Sequence, residues 1–291
     1  MFVHRIGLFV HPSRPIERPL DTLRAWAERV GAEVVQIDSG HPDSPQVAPS
    51  GPVTGADLIV AIGGDGTVLS ALRAAAPGNV PVLGVACGSL GALTSVAAQD
   101  LGEALDLAVA GGLPARALPA LTLRDEHGEV VTEAINDVVL VRRATAQLTV
   151  EVTVGGELYT RAAGDGVIVA TALGSSAYTM AAGGPLLFGP GAGFVCTPLA
   201  MHGGNAPPLV VPPQVELGLT ATPGYGGFDL EVDGHRLEPA GTRYTVTLKQ
   251  GHVTLLGATS QEGPLAGLRR RGLLLDSPRV QARDKRSGPP C

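Results

Sequence analysis

Along the first 115 residues, short apolar runs alternate with segments whose apolar residues recur at helical spacing. Ile6 to Val10 is a strand by length, and Leu20, Leu23, Trp26, Ala27 and Val30 mark one face of a helix that Gly31 ends. Glu33 to Ile37 restarts a strand, residues 39–56 form a loop rich in Gly, Pro and Ser, and Asp57 to Ile62 is a third strand. Gly63-Gly64-Asp65-Gly66-Thr67 follows at once, then a helix from Val68 to Ala76, a strand from Pro81 to Val85 and a helix from Leu101 to Ala110. Such alternation predicts a parallel sheet with helices on its faces.

From residue 116 the pattern changes. Strand-like runs at 117–124, 135–142, 148–154, 157–163, 167–171, 208–211, 215–221, 228–232 and 244–256 have little helix between them, apart from a short one from Gly174-Ser175-Ser176 through Ala182. The expected organisation is therefore an α/β Rossmann-like domain over 1–115, a β-rich domain over 116–260 and a tail over 261–291. In that tail the chain after Ser277 reads as polar and loose, and the arginine run at 269–271 as a solvated face.

Composition narrows the partners. The net charge of −6, with no basic stripe, argues against nucleic acid or an anionic membrane as a partner. Any phosphate must be bound locally, by backbone amides, a metal ion and a few arginines. Cys87, Cys196 and Cys291 lie far apart without CxxC spacing, so neither a disulfide framework nor a zinc site is expected, and a reducing cytoplasm is the expected compartment. Neither a signal peptide nor a membrane span is expected from the apolar runs.

Three segments carry candidate chemistry. In residues 59–73, IVAIGGDGTVLSALR, a buried strand runs into glycines that let a phosphate approach the backbone, and into a helix start whose free N–H groups attract anions. Asp65 would repel phosphate in a plain anion cradle. It makes sense if it takes a proton from an attacking hydroxyl or holds a metal ion; the plainer alternative is a turn with Asp65 or Thr67 as N-cap. No Walker A lysine is present, which excludes a P-loop NTPase.

In residues 162–185, AAGDGVIVATALGSSAYTMAAGGP, Asp165 opens a strand and Ser175 and Ser176 open a short helix at its far end. This set can hold ribose hydroxyls and a phosphate, or be a capped helix packed on a sheet. It is not the G-x-S-x-G of a hydrolase. In INDVVLVR, residues 135–142, Asn136 and Asp137 can read a base edge and accept from ribose hydroxyls, or serve as ordinary turn residues. Tyr178 is either a stacking ring or an inward-facing helix residue, and His202 and His235 read as structural or surface residues.

In order, GGDGT after a strand, an Asn-acidic pair, GDGxIVxTxxGSxAYxxxAGGP and a Thr-Pro before a His resemble the NAD kinase family over residues 57 to about 256. GGDG alone also occurs in lipid kinases and phosphofructokinase-type kinases; the GDG and GSxAY blocks separate the NAD kinases. The resemblance implies a site between the two domains. It also implies transfer of phosphate from ATP or polyphosphate to the 2′-hydroxyl of the adenosine ribose, with Mg2+ or another divalent cation. It makes Asp65 the general base and sets Gly63, Gly64, Gly66 and Thr67 around the phosphates. By the same likeness Asn136 contacts adenine, Asp137 replaces the family's usual Glu on the ribose, and Asp165 meets the nicotinamide side. Ser176, Ala177 and Tyr178 match the segment lining the adenosine pocket. The partners implied are small-molecule nucleotides, and the assembly a homodimer or homotetramer.

Departures from the family pattern fall on the acceptor side. Ala92 stands where an aromatic usually packs on the substrate base, Leu173 where a hydroxyl usually bonds the adenine edge, and Met201 where a proline usually precedes His202. Two readings follow: an NAD kinase with a repacked pocket, or a kinase of the same chemistry acting on a different nucleoside, nucleotide or metabolite hydroxyl. A catalytically silent dinucleotide binder is disfavoured, because a non-catalytic cradle gains nothing from a carboxylate beside phosphates.

Overall fold

A computed structural model describes residues 2–189, 191–257 and 264–287. The chain divides into two compact units, residues 1–116 with 254–291, and residues 117–253.

In the first unit, β1 (Arg5–Val10), α1 (Glu17–Val30), β2 (Glu33–Gln36), β3 (Leu58–Gly63), α2 (Asp65–Ala75), β4 (Val82–Ala86), β5 (Val96–Ala97) and α3 (Leu101–Ala110) follow one another. The strands pair in parallel in the order β2-β1-β3-β4. Every residue of β3 is buried, which is why it reads as a continuous apolar run rather than an alternating one. One sheet face carries Ile6, Leu8, Leu58, Val60 and Ile62. Against it lie Leu20, Leu23 and Trp26 of α1 and Leu101 and Leu105 of α3. The Trp26 indole N–H, inside this cluster, donates to Asp106 at 2.7 Å. Gly31, at φ 73°, closes α1 as the sequence predicts.

The second unit is built from β6 (Ala115–Asp125), β7 (Val130–Ala134), β8 (Asp137–Arg142), β9 (Leu148–Val154), β10 (Glu157–Gly164), β11 (Gly166–Thr171), α4 (Tyr178–Ala181), β12 (Phe194–Leu199), β13 (Leu209–Val211), β14 (Leu217–Pro223), β15 (Phe228–Val232), β16 (His235–Leu237) and most of β17 (Arg243–Leu256). Strands β10-β9-β14-β17 form one antiparallel run and β13-β12-β11-β8-β15-β16 another. Leu148, Val150 and Val152 of β9 alternate inward with Leu217 and Leu219 of β14. They share one core with Val138, Leu140, Val167, Val169, Phe194 and Leu230 of the other sheet. Strands β7, β12 and β16 had no counterpart among the sequence runs.

Two readings of the C-terminal segment change. The end of β17 pairs with β4 in parallel, Leu255 opposite Val82, so the chain returns to the first unit rather than ending a second domain near 260. Beyond it lie α5 (Pro264–Arg270) and α6 (Pro278–Ser287), so the stretch after Ser277 is helical through Ser287, with Pro278 supplying a helix-ready φ at the first position. Cys291 lies outside the described residues.

Candidate functional site

In the first unit, β3 delivers the chain directly into the turn Gly63-Gly64-Asp65. Gly64 is extended, and its carbonyl accepts from Val68 N at 3.1 Å, starting α2. A Cβ on Gly63 would strike the Thr67 side chain, so this glycine is required by local packing. Gly66 is different: nothing among the described residues comes within 4 Å of a Cβ placed there. The fold itself does not demand glycine at that point, whereas a ligand approaching the backbone would.

Asp65 does not cap its own helix. Its Oδ2 accepts from Ala92 N at 2.8 Å, and its Oδ1 from Leu93 N at 2.9 Å and Thr94 N at 3.2 Å. The donor loop is itself tied by Gly91 N to Thr94 Oγ1 at 2.6 Å. A carboxylate held by three amides is fixed in orientation while its side chain keeps 34% of its surface open. The N-cap alternative for Asp65 is thereby excluded. Arg271 Nη1 stands 3.6 Å from Asp65 Oδ2, and Arg270 Nη1 donates to Leu90 O at 2.8 Å. The arginine run is thus not simply a solvated face: Arg270 reaches the loop that holds Asp65, and Arg271 reaches Asp65 itself. Nothing in local sequence pattern signals this, because 180 residues separate Arg270 from Leu90.

In the second unit, Asn136 and Asp137 sit where β7 passes into β8. Their amides, with that of Ile135, all donate to the Asp233 carboxylate, at 2.7, 3.2 and 3.0 Å. Asp233 and Gly234, both at positive φ, form the two-residue turn between β15 and β16. The Val-Asp-Gly-His sequence between two apolar runs was the available signal for this hairpin; its side-chain role was not legible. Asp137 is buried, and its carboxyl is pushed up to about 7, by burial first and then by the charges of Asp233 and Glu231.

Asp165 lies between Gly164 and Gly166. A Cβ on Gly166, at φ +150°, would collide with the Leu140 carbonyl of the adjacent strand. The Asp165 carboxylate is engaged by Arg142 Nε, and its main-chain O accepts from Arg142 N at 2.8 Å.

At the end of β11, Thr171 Oγ1 donates to Ile135 O at 2.7 Å, and Thr171 N to Asn136 O at 2.9 Å, which sets the start of the Leu173–Tyr178 turn beside Asn136. Leu173 O accepts from Ser176 Oγ at 3.0 Å, and Ser175 is fully buried, donating to Ala172 O at 2.7 Å. Tyr178 is 43% exposed; burial raises its hydroxyl, and Glu231, Asp165 and Asp137 raise it further. Asn136, Asp137 and the start of the Leu173–Tyr178 turn thus lie together at one end of β8 and β11, whereas Asp165 lies at the other end, beside Arg142. His202 and His235 are exposed.

The first unit carries a glycine-opened helix start with an amide-fixed carboxylate, the second a set of acidic residues on its packed sheets, and the comparisons give the class, a kinase. The models of the ATP-NAD kinase N-terminal and C-terminal domains match residues 46–113 and 135–255. The chain belongs to the NAD kinase family, and its reaction is the phosphorylation of NAD.

It is 38% identical over 200 residues to the NAD kinase of Symbiobacterium thermophilum, covering 67% of this chain and 70% of that protein. To the NAD kinase of Koribacter versatilis it is 33% identical over 249 residues, covering 80% and 85%. Among solved structures, yeast NADH kinase complexed with NADH aligns at a TM-score of 0.79 and 20% identity, over 95% of this chain and 89% of that one. An NAD kinase from Archaeoglobus fulgidus in complex with ATP aligns at 0.72 and 21%, over 92% and 98%. These two show the shared fold. The relatives favour NAD over a different nucleoside or metabolite as acceptor.

Proposed function

We propose that this chain transfers the γ-phosphoryl group of ATP to the 2′-hydroxyl of the adenosine ribose of NAD, with Asp65 as general base. The observation that carries this reading is the Asp65 carboxylate itself, fixed by three amides at the start of the glycine-opened helix. A carboxylate there raises the cost of holding phosphate, and the cost is justified if it takes up a proton. The hydroxyl oxygen attacks the γ-phosphorus, the bond to the bridging oxygen of ADP breaks, and the hydroxyl proton passes to Asp65. Gly63, Gly64, Gly66 and Thr67 surround the donor phosphates, and the open space at Gly66 supports that placement.

In this reading Asn136 bonds the adenine edge, Asp137 the ribose hydroxyls, and Asp165 the nicotinamide side. Leu173, Ser176, Ala177 and Tyr178 line the adenosine pocket. Asp233 positions the Asn136–Asp137 pair. Among the described residues no group of three or more His, Cys, Asp or Glu is arranged to hold a metal ion. Mg2+ bound with the nucleotide would offset the charge of its phosphates. ATP as donor is supported by the bound nucleotide of the Archaeoglobus fulgidus relative.

We place the protein in the cytoplasm as a homodimer or homotetramer. Cys87 and Cys196 are unpaired thiols, which suits a reducing compartment, and no described helix is long and apolar enough to cross a membrane.

The test is incubation of purified protein with ATP, Mg2+ and NAD, NADH or a panel of nucleosides, read by mass spectrometry. NAD gaining one phosphate on the 2′-oxygen supports the reading. Phosphorylation of another acceptor at higher kcat/KM than NAD overturns it.

A further inference from the structure

We propose that Arg14 and Arg271 form a two-sided clamp for the donor's phosphates, with Arg271 resting on Asp65 until the nucleotide takes it over. The proposal rests on the kinase reading above and deepens it. All of its residues lie in the first unit.

Arg14 comes from the loop between β1 and α1. Its main-chain N–H, with that of Ser13, donates to His11 Nδ1 at 3.1 Å, which fixes the turn. Its guanidinium lies over the glycine turn: Nη1, Cζ and Nη2 are 3.3, 3.4 and 3.4 Å from a Cβ placed on Gly64. Nη1 is also 4.0 Å from one placed on Gly88. The residue is exposed and forms no ion pair among the described residues, so its charge is uncommitted beside the turn.

Arg271 comes from the other direction, just beyond α5. Its side chain is 23% exposed, its Nε donates to Gly267 O at 3.3 Å, and its Nη1 pairs with Asp65 Oδ2 at 3.6 Å. Arg270 anchors the same segment on Leu90 O.

In a chain of net charge −6, two arginines flanking one glycine turn are a local exception. Guanidinium groups match phosphate oxygens in pairs of hydrogen bonds. The Arg271–Asp65 contact is an ion pair rather than a hydrogen bond, so a polyanion of higher charge can outcompete the carboxylate for it. That exchange releases Asp65 to accept a proton only once the donor is in place.

The test uses the full chain and the variants Arg14→Gln, Arg271→Gln, Arg271→Lys and, as a control for charge in the same segment, Arg279→Gln. ATP and inorganic tripolyphosphate are titrated by calorimetry without acceptor, and kinetics are measured with each substrate varied. Circular dichroism checks folding. The expected result is a rise of about tenfold or more in the Kd for ATP and tripolyphosphate in both glutamine variants, with the KM for NAD unchanged. Arg271→Lys should fall in between and Arg279→Gln should match wild type. If Arg271→Gln fails to fold, Arg271→Lys and Arg14→Gln carry the test.

Wild-type affinity in the folded Arg14 and Arg271 variants overturns the clamp while leaving the kinase reading in place. A wild-type protein that binds neither ATP nor tripolyphosphate overturns both.

Discussion

The main-chain N–H of Ala92 donates to Oδ2 of Asp65 at 2.8 Å. Ala92 is the position where the family's aromatic side chain is missing, yet its backbone is part of what fixes the carboxylate assigned as base. The main chain of that loop holds Asp65, so its side chains can vary without loss of those bonds.

Replacing Asp65 with Asn should reduce kcat by about 10²–10⁴, the usual contribution of a general base. The amide offers one acceptor oxygen where the carboxylate offers two, so some of the bonds from Ala92, Leu93 and Thr94 are lost as well. A stability loss of about 1–3 kcal/mol in urea unfolding should accompany the kinetic effect. Equal turnover by variant and wild type would remove Asp65 from the mechanism.

Gly91→Ala tests the loop from its other side. A Cβ at Gly91 would fall on the Asp65 carboxylate, so loop or carboxylate must shift. The expected outcome is a loss of about 1–3 kcal/mol in stability and a large fall in kcat, with the KM for ATP changing less. Normal kcat in Gly91→Ala would show that the carboxylate's orientation does not matter.

Ala92→Phe and Leu173→Thr should each lower the KM for NAD, by roughly two- to tenfold, by supplying a ring against the base and a hydroxyl at its edge. Neither change removes a main-chain donor, so melting temperatures should stay near wild type. A higher KM in both variants would overturn the contacts to the base expected at these two positions.

The pH dependence should centre on Asp137. Its carboxyl is pushed up to about 7, whereas an unfolded chain releases the proton near 3.8. Between these values the folded state holds a proton that the unfolded state has lost, so stability falls as pH rises through this window and levels off above it. Asp137→Asn should remove that slope and stabilise the protein at pH 8 by on the order of 1–3 kcal/mol relative to wild type. Parallel urea-unfolding profiles for variant and wild type between pH 5 and pH 8 would contradict this. The KM for NAD in wild type should improve as pH passes 7, because the ionised carboxylate accepts two hydroxyl hydrogen bonds.

What the sequence determined by itself is whatever local chemistry enforces. The run Leu58–Gly63 is apolar throughout because both faces of its sheet are covered, and the glycines and Asp65 follow it without a gap, so strand, turn and helix were legible together. Alternation in Leu148–Val154 and Leu217–Pro223 likewise revealed the β-rich unit, because each strand buries one face. The GDG block was legible because glycine alone tolerates the approach of Leu140 O at position 166.

Only the tertiary structure decided which distant groups complete these segments. That Asp233 gathers the amides of residues 135–137, that Leu255 pairs beside Val82, and that Arg271 meets Asp65 are contacts across long stretches of chain. They leave no periodic trace, because one hydrogen bond or ion pair constrains a single side chain rather than a repeating face. The strand Phe194–Leu199, although buried, was missed because Thr197 and Pro198 interrupt its apolar run. It is held by its register against Gly166–Thr171, a neighbour that only folding supplies.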